Sequence, residues 1–136
     1  MNAMARRAAA PVRVAVPALP LLALLAGCSP SGTDAATGEK IFKQCASCHQ
    51  VGPNARAGFG PHLNGLFGRR AGSTPDFAYS AAMRRADIVW DERTLAHFLH
   101  DPSKAVPGTN MRFWGIGDDR QIAALLAYLR TFQDAH

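Results

Sequence analysis

Residues 45–49 read Cys45-Ala46-Ser47-Cys48-His49, and this stretch decides the fold. Two residues between the cysteines put both thiols where the two vinyl groups of one porphyrin can each accept a thioether bond. The histidine that follows is then pinned beneath the metal as an axial ligand. Cys-x-x-Cys-His is the attachment signature of one covalently bound haem c. Other uses of the same residues compete with it. A thioredoxin-like redox pair needs a βαβ setting, and the chain has no alternating strand pattern. Half a zinc site needs a second Cys/His pair, but His97 and His100 stand far off with no further thiol beside them. A plain disulfide suits an oxidising compartment but leaves the histidine unexplained.

A haem also solves a packing problem. The chain has 136 residues, 48% hydrophobic and 18% charged, which fits one ordinary domain and excludes both a fully disordered chain and a polytopic membrane protein. Helix signals fall in four places. Residues 38–45 present Ile41, Phe42 and Cys45 as an inner stripe. Ser80 can cap a short helix over 80–85. Residues 91–101 start acidic, carry Leu95, Phe98 and Leu99, and stop at Pro102. The last helix is the clearest. Asp118 caps it with Gln121 as reciprocal partner, Ile122, Leu125, Leu126 and Leu129 recur at i, i+3, i+4 and i+7, and Tyr128 and Phe132 widen the stripe. Between these lie long turn-rich loops over 51–72 and 102–117. Modest helices and long loops make a poor core alone. The expected fold is therefore all-α, with three to five helices and long loops wrapped around one covalently attached haem.

Residues 1–27 are expected to be an export signal. Arg6, Arg7 and Arg13 precede an uncharged run of 13 residues, Val14 to Ala26, which Pro17 and Pro20 interrupt. A membrane-spanning helix needs ~20 apolar residues. Leu25-Ala26-Gly27-Cys28 closes the run and resembles a bacterial lipobox, whose cysteine is acylated and becomes the new N-terminus. The competing outcome is ordinary signal-peptidase cleavage nearby, leaving Cys28 a free thiol. Residues 28–37 are small and polar and are expected to form a lipid-anchored flexible linker, with residues 38–136 as the haem domain. Such a tether reaches at most ~35 Å, which concentrates the domain near partners in the same membrane. The formal charge of +5 loses three arginines with the signal, leaving twelve basic side chains against ten acidic ones. Basicity therefore belongs mainly to the signal, and no nucleic-acid partner is expected.

The second axial ligand decides what a haem does. A thioether opposite the imidazole gives an iron that exchanges only electrons, whereas an open position admits small ligands. Met1 and Met4 leave with the signal, and Met83 falls in an expected helix where methionine is commonly core. Met111 ends the turn-rich stretch Pro107-Gly108-Thr109-Asn110-Met111 and is assigned as the ligand opposite His49.

Together these motifs resemble the class I c-type cytochromes, in the branch of mitochondrial cytochrome c and bacterial cytochrome c2, here in a membrane-anchored lipoprotein form. The likeness runs through nearly all of residues 38–132. It rests on Gly38-Glu39-Lys40-Ile41-Phe42, on the 45–49 motif, on Gly60-Pro61-His62-Leu63-Asn64-Gly65-Leu66-Phe67-Gly68-Arg69, on Pro107 to Met111, on Leu126-Ala127-Tyr128-Leu129, and on the 62-residue separation of His49 and Met111. The resemblance implies a cytochrome c fold and a role for each matching residue. Pro61 offers its carbonyl to the far nitrogen of His49. Arg69 lies near a haem propionate, Tyr79 and Trp90 hydrogen-bond the propionates, and Thr109 bonds the inner propionate region. Phe113 stands at the exposed haem edge. Gly38 and Phe42 pack on Leu125 and Tyr128 where the first and last helices cross.

Two departures from the family pattern stand out. Phe98 replaces a tyrosine usual near the methionine sulfur, and Met83 replaces an asparagine usual in an internal water network. Both remove polar groups from beside the iron and imply a raised potential. The lysine ring of the mitochondrial protein is also largely missing, since Asn110, Asp118 and Asp119 stand in stretches that are basic there, while Lys104 and Arg112 remain. Partner docking should then depend less on salt.

The function implied is that of a one-electron carrier, not an enzyme. It would act as a monomer between membrane respiratory complexes, from a quinol-cytochrome c reductase to a terminal oxidase or other reductase. Its place would be the bacterial periplasm or the outer face of the cytoplasmic membrane, anchored through Cys28. Two alternatives stay open. One is a haem subunit or electron acceptor of a specific periplasmic dehydrogenase complex. The other is a small haem peroxidase or gas binder, which requires Met111 to be absent or labile. His62, His97, His100 and His136 receive no role.

Overall fold

A computed structural model describes residues 32–134. The expected signal over 1–27, the expected acylation site Cys28, the first residues of the expected linker and His136 lie outside the described residues. Five helices follow one another: α1 (Gly32–Phe42), α2 (Ala81–Arg85), α3 (Glu92–His100), α4 (Pro102–Ala105) and α5 (Asp119–Arg130). Among the described residues the only strand-like pairing is one antiparallel bridge between Arg70 and Val89. No helix among them is long and apolar enough to cross a membrane.

The crossing of α1 and α5 organises the domain. The stripe of α5 is fully used, with Ile122, Leu125, Leu126 and Leu129 all buried. Each such side chain contributes roughly 1.5–3 kcal/mol of burial free energy. Gly38 is what lets α1 come so close. A Cβ at this position would lie 2.7 Å from both the Ala124 carbonyl carbon and the Tyr128 Cβ. The Phe42 ring then tilts onto Tyr128 with centroids 5.4 Å apart, and Tyr128 meets Phe132 edge-on at 5.1 Å.

Helix ends follow side-chain chemistry. Asp91 and Thr94 form a reciprocal capping box that starts α3. Asp118 caps α5 through the Arg120 amide at 2.8 Å rather than through a reciprocal pair with Gln121. Ser80 caps α2 by accepting from the Met83 amide at 3.0 Å.

Two boundaries differ from expectation. α1 begins at Gly32, so residues 32–37 are helical rather than part of a flexible linker. Alanines at 35 and 36 are strong helix formers and Asp34 favours the first turn, although none of them adds to an apolar stripe. The same helix ends at Phe42 rather than Cys45. Pro102 does end α3, but it also opens α4. Asp101 accepts from the Ser103 and Lys104 amides at 3.1 Å each, and Pro102 takes the first helical position, where its missing N–H costs nothing.

The C-terminal turn fastens the long 51–72 segment. The Gln133 side chain accepts from the Phe67 amide at 3.1 Å and donates to the Phe67 carbonyl at 2.9 Å. Arg130 lies over the Phe67 ring at 4.2 Å and meets Glu92 at 2.6 Å. A segment without regular structure is thereby held to both α5 and α3.

Candidate haem site

Past Phe42 the chain keeps turning. The Cys45 and Ala46 amides donate to the Phe42 carbonyl at 2.8 and 3.0 Å, and those of Cys48 and His49 donate to the Cys45 carbonyl at 3.0 and 2.9 Å. Both thiols and the imidazole thus stand on one compact turn continuous with α1. Cys45 is half-buried against the apolar core and Cys48 is exposed. Before attachment, burial, with a smaller contribution from Cys48, pushes the Cys45 thiol up to about 11.

His49 is fixed from behind. Its Nδ1 donates to the Pro61 carbonyl oxygen at 2.8 Å, which leaves the lone pair on Nε2. Burial lowers the imidazole pKa, the Pro61 bond opposes that, and the Arg69 charge adds to it. The net direction favours the neutral ring, the form a metal ligand must take. Gly60 presses on the ring. Its amide donates to the Cys48 carbonyl at 2.9 Å, and a Cβ there would sit 2.5 Å from His49 Cε1. Only glycine lets the 58–61 turn close over the imidazole in this way.

Met111 hangs in a loop stapled at both ends. The Thr109 amide donates to the Val106 carbonyl at 3.0 Å, and the Ile116 amide donates to the Leu99 carbonyl at 2.9 Å. Gly115, at φ 94°, lies where a Cβ would come within 2.8 Å of the His100 carbonyl carbon. The Thr109 hydroxyl accepts from the Met111 amide at 3.3 Å. Met111, Phe113, Tyr79 and Cys45 are all partly buried against the same core.

The remaining residues expected at the site each hold a defined place. Arg69 donates to the His62 and Asn64 carbonyls at 3.0 Å each, and burial lowers its pKa. The Tyr79 hydroxyl lies 2.8 Å from that of buried Thr74, and the Tyr79 carbonyl accepts from Arg84. Trp90 is buried with its ring 5.2 Å from that of Phe98. Met83 and Phe98 are 8% and 7% exposed, so both departures from the family pattern lie inside the core. The Trp90 amide donates to the Arg69 carbonyl at 2.9 Å, and among the described residues no side-chain hydrogen bond joins Arg69, Tyr79 and Trp90 to one another. Sequence reasoning missed Asn64. Its buried amide accepts from the Gly52 N–H at 2.8 Å and donates to the Gly52 carbonyl at 2.9 Å, fixing the segment behind His49.

These features fit a covalently attached haem. Two unpaired thiols share a turn, a neutral imidazole offers its Nε2 lone pair, and the glycine cradle at residue 60 admits no side chain. A helical domain of this fold with thiol, imidazole and thioether donors defines a small haem-attaching class of protein. The comparisons agree. The family described as Cytochrome c matches residues 35–133. Cytochrome c2 of Blastochloris viridis is 43% identical over 113 residues, covering 82% of this chain and 89% of its own. Cytochrome c of Sesamum indicum is 47% identical over 103 residues, covering 75% of this chain and 92% of its own. The structure of cytochrome cH from Methylobacterium extorquens superposes with a TM-score of 0.68 at 41% identity, covering 72% of this chain and 98% of that one. The chain belongs to the cytochrome c family, has the cytochrome c fold and carries one covalently bound haem c. Proteins of this family are electron carriers and generally not enzymes.

Proposed function

We propose that this protein is a one-electron carrier between membrane-bound respiratory complexes, taking electrons from a quinol-cytochrome c reductase and delivering them to a terminal oxidase or other reductase. Haem supplies a ferric/ferrous couple when bound. Cys45 and Cys48 would hold it covalently, and His49 and Met111 would take the two axial positions. The observation that carries the proposal is the His49–Pro61 hydrogen bond at 2.8 Å, together with the stapled loop that bears Met111. The first fixes the tautomer and direction of the imidazole, and the second limits the excursions of the thioether. Two fixed protein donors exclude outside ligands and keep rearrangement small. Arg69, Tyr79, Trp90 and Thr109 would meet the propionates, Phe98 would line the pocket near the methionine, and Phe113 would border the exposed edge. The protein would act as a monomer in the bacterial periplasm or at the outer face of the cytoplasmic membrane, held there by acylation of Cys28.

Carbon monoxide tests the ligand set. The reduced wild-type protein should not bind it at neutral pH, whereas Met111→Ala should. Binding by the wild type would replace the carrier with a gas-binding or peroxidase function. An intact mass of the natively expressed protein should show both the haem and the acyl chains at Cys28. Co-purification with a dehydrogenase at fixed stoichiometry would point instead to a dedicated acceptor subunit.

A further inference from the structure

Behind His49 two stretches of irregular chain, 48–52 and 60–64, run side by side in the same direction. The Gly60 amide donates to the Cys48 carbonyl at 2.9 Å, His49 Nδ1 donates to the Pro61 carbonyl at 2.8 Å, and the Leu63 amide donates to the Gln50 carbonyl at 2.9 Å. The last rung is made by a side chain. The Asn64 amide group accepts from the Gly52 N–H at 2.8 Å and donates to the Gly52 carbonyl at 2.9 Å. Gly52 is buried, and among the described residues its N–H has no other acceptor, whereas its carbonyl also takes the Ala55 amide at 3.1 Å. Asn64 is itself only 7% exposed, and its own backbone is held. Arg69 Nη1 donates to the Asn64 carbonyl at 3.0 Å, and the Gly65 amide that follows donates to the Phe132 carbonyl at 3.0 Å. A buried side-chain amide paired with both backbone groups of one residue fixes the register of the two stretches there.

We propose that Asn64 is a positioning residue for electron transfer: it locks the end of this pairing and thereby holds the His49–Pro61 bond that sets the direction and donor strength of the imidazole. The role rests on His49 as axial ligand. Without the Asn64 amide group the Gly52 N–H is buried with no acceptor, which costs more than an ordinary hydrogen bond returns. The 50–52 backbone must then shift toward water. Gln50, whose carbonyl carries the neighbouring rung, is the residue next to His49, so the shift reaches the imidazole directly. An Nδ1–H that donates less well leaves Nε2 a poorer donor. A poorer donor favours ferrous over ferric iron, so the potential rises. Gln133 supplies the contrast. It makes the same two-bond clasp, to the Phe67 amide at 3.1 Å and the Phe67 carbonyl at 2.9 Å, but on a residue outside the pairing. Its loss should cost stability and leave the iron unchanged.

The test uses the full holoprotein. Wild type, Asn64→Ala, Asn64→Leu and Gln133→Ala are compared by equilibrium redox titration and by NMR hydrogen exchange of the ferrous form. Both Asn64 variants should shift the ferric/ferrous equilibrium about threefold or more toward ferrous, a rise of roughly 30 mV at ~59 mV per decade, and should speed exchange of the His49 Nδ1 proton about tenfold. Leucine nearly fills the volume of asparagine, so agreement between the two variants assigns the effect to the hydrogen bonds and not to a cavity. Gln133→Ala should lower the guanidinium unfolding midpoint while leaving the ferric/ferrous equilibrium at its wild-type value. In the wild type the Gly52 amide and the His49 ring proton should exchange through one opening, with the same denaturant dependence, a measurement that needs no variant. Asn64 variants whose potentials match that of Gln133→Ala would overturn the positioning role and leave the carrier function intact. So would a shift in Asn64→Ala that Asn64→Leu lacks, or wild-type protons that exchange in separate openings. His49 ring protons without the ring-current shift of an axial ligand would overturn the ligand assignment, and the role of Asn64 with it.

Discussion

Gly38→Ala is the sharpest probe of the fold. The added Cβ would run into the Ala124 carbonyl oxygen and would sit 2.7 Å from the Ala124 carbonyl carbon and from the Tyr128 Cβ. Carbon atoms pack best at about 3.5–4.0 Å, so the clash demands a separation of roughly 0.8–1.3 Å. One of the clashing groups is helix backbone, and no rotamer change relieves it. The helices must part. A gap of roughly 0.5–1 Å forfeits a quarter to a half of each contact well along the seam. For Ile41 and Phe42, worth about 5 kcal/mol of burial together, that is about 1–2.5 kcal/mol. Strain from overpacking adds about 1–3 kcal/mol. Alanine returns about 1 kcal/mol through its better helix propensity. The expected net loss is about 1–4.5 kcal/mol, or roughly 5–35 °C in Tm for a domain of this size. Guanidinium unfolding of the holoprotein, followed by circular dichroism at unchanged m-value, measures it. A variant within about 0.5 kcal/mol of wild type would show that α1 and α5 do not meet through this glycine.

Three further outcomes are expected. Phe98→Tyr returns a hydroxyl to the core, and if that stabilises the oxidised state by about 0.5–1.5 kcal/mol the midpoint potential falls by roughly 20–65 mV, so an unchanged or higher potential refutes the dry-pocket account. Asp91 and Asp101 have lowered pKa values, Asp91 chiefly through its bonds with Thr94 and Asp101 chiefly through Ser103. Their contribution is therefore fully present above the unfolded carboxylate value near ~3.9 and is lost as pH falls through the folded values. The stability gap between wild type and Asp91→Asn should narrow over that acid range in unfolding curves, and a constant gap would show that the cap does not act through its charge. Rates of electron transfer to a purified bacterial oxidase should vary only weakly with ionic strength, because Asn110, Asp118 and Asp119 stand in stretches that are basic in the mitochondrial protein, and a steep dependence would refute this.

What could be read from the sequence was what local chemistry encodes. α3 and α5 carry both an apolar period and a capping carboxylate, so their positions were plain. The attachment motif was legible because its spacing is chemical, and the turn residues Pro107 and Gly108 marked the loop that bears Met111. Other features depend on distant neighbours. The first turns of α1 have no apolar stripe to announce them. Pro102 reads as a stop, and its second use as the start of α4 depends on the backbone angle of Asp101. Nothing near Asn64 or Gln133 signals that each will clamp a loop far away in the chain.

The meeting of α1 with α5 also sets a timetable for making the protein. The helix that leads into Cys45 and Cys48 has its principal packing partner almost at the other end of the domain, so its inner side stays uncovered until the two ends come together. Contacts so remote in sequence form slowly. Until that seam closes, the turn that carries the two cysteines lacks the support of its helix's main packing partner.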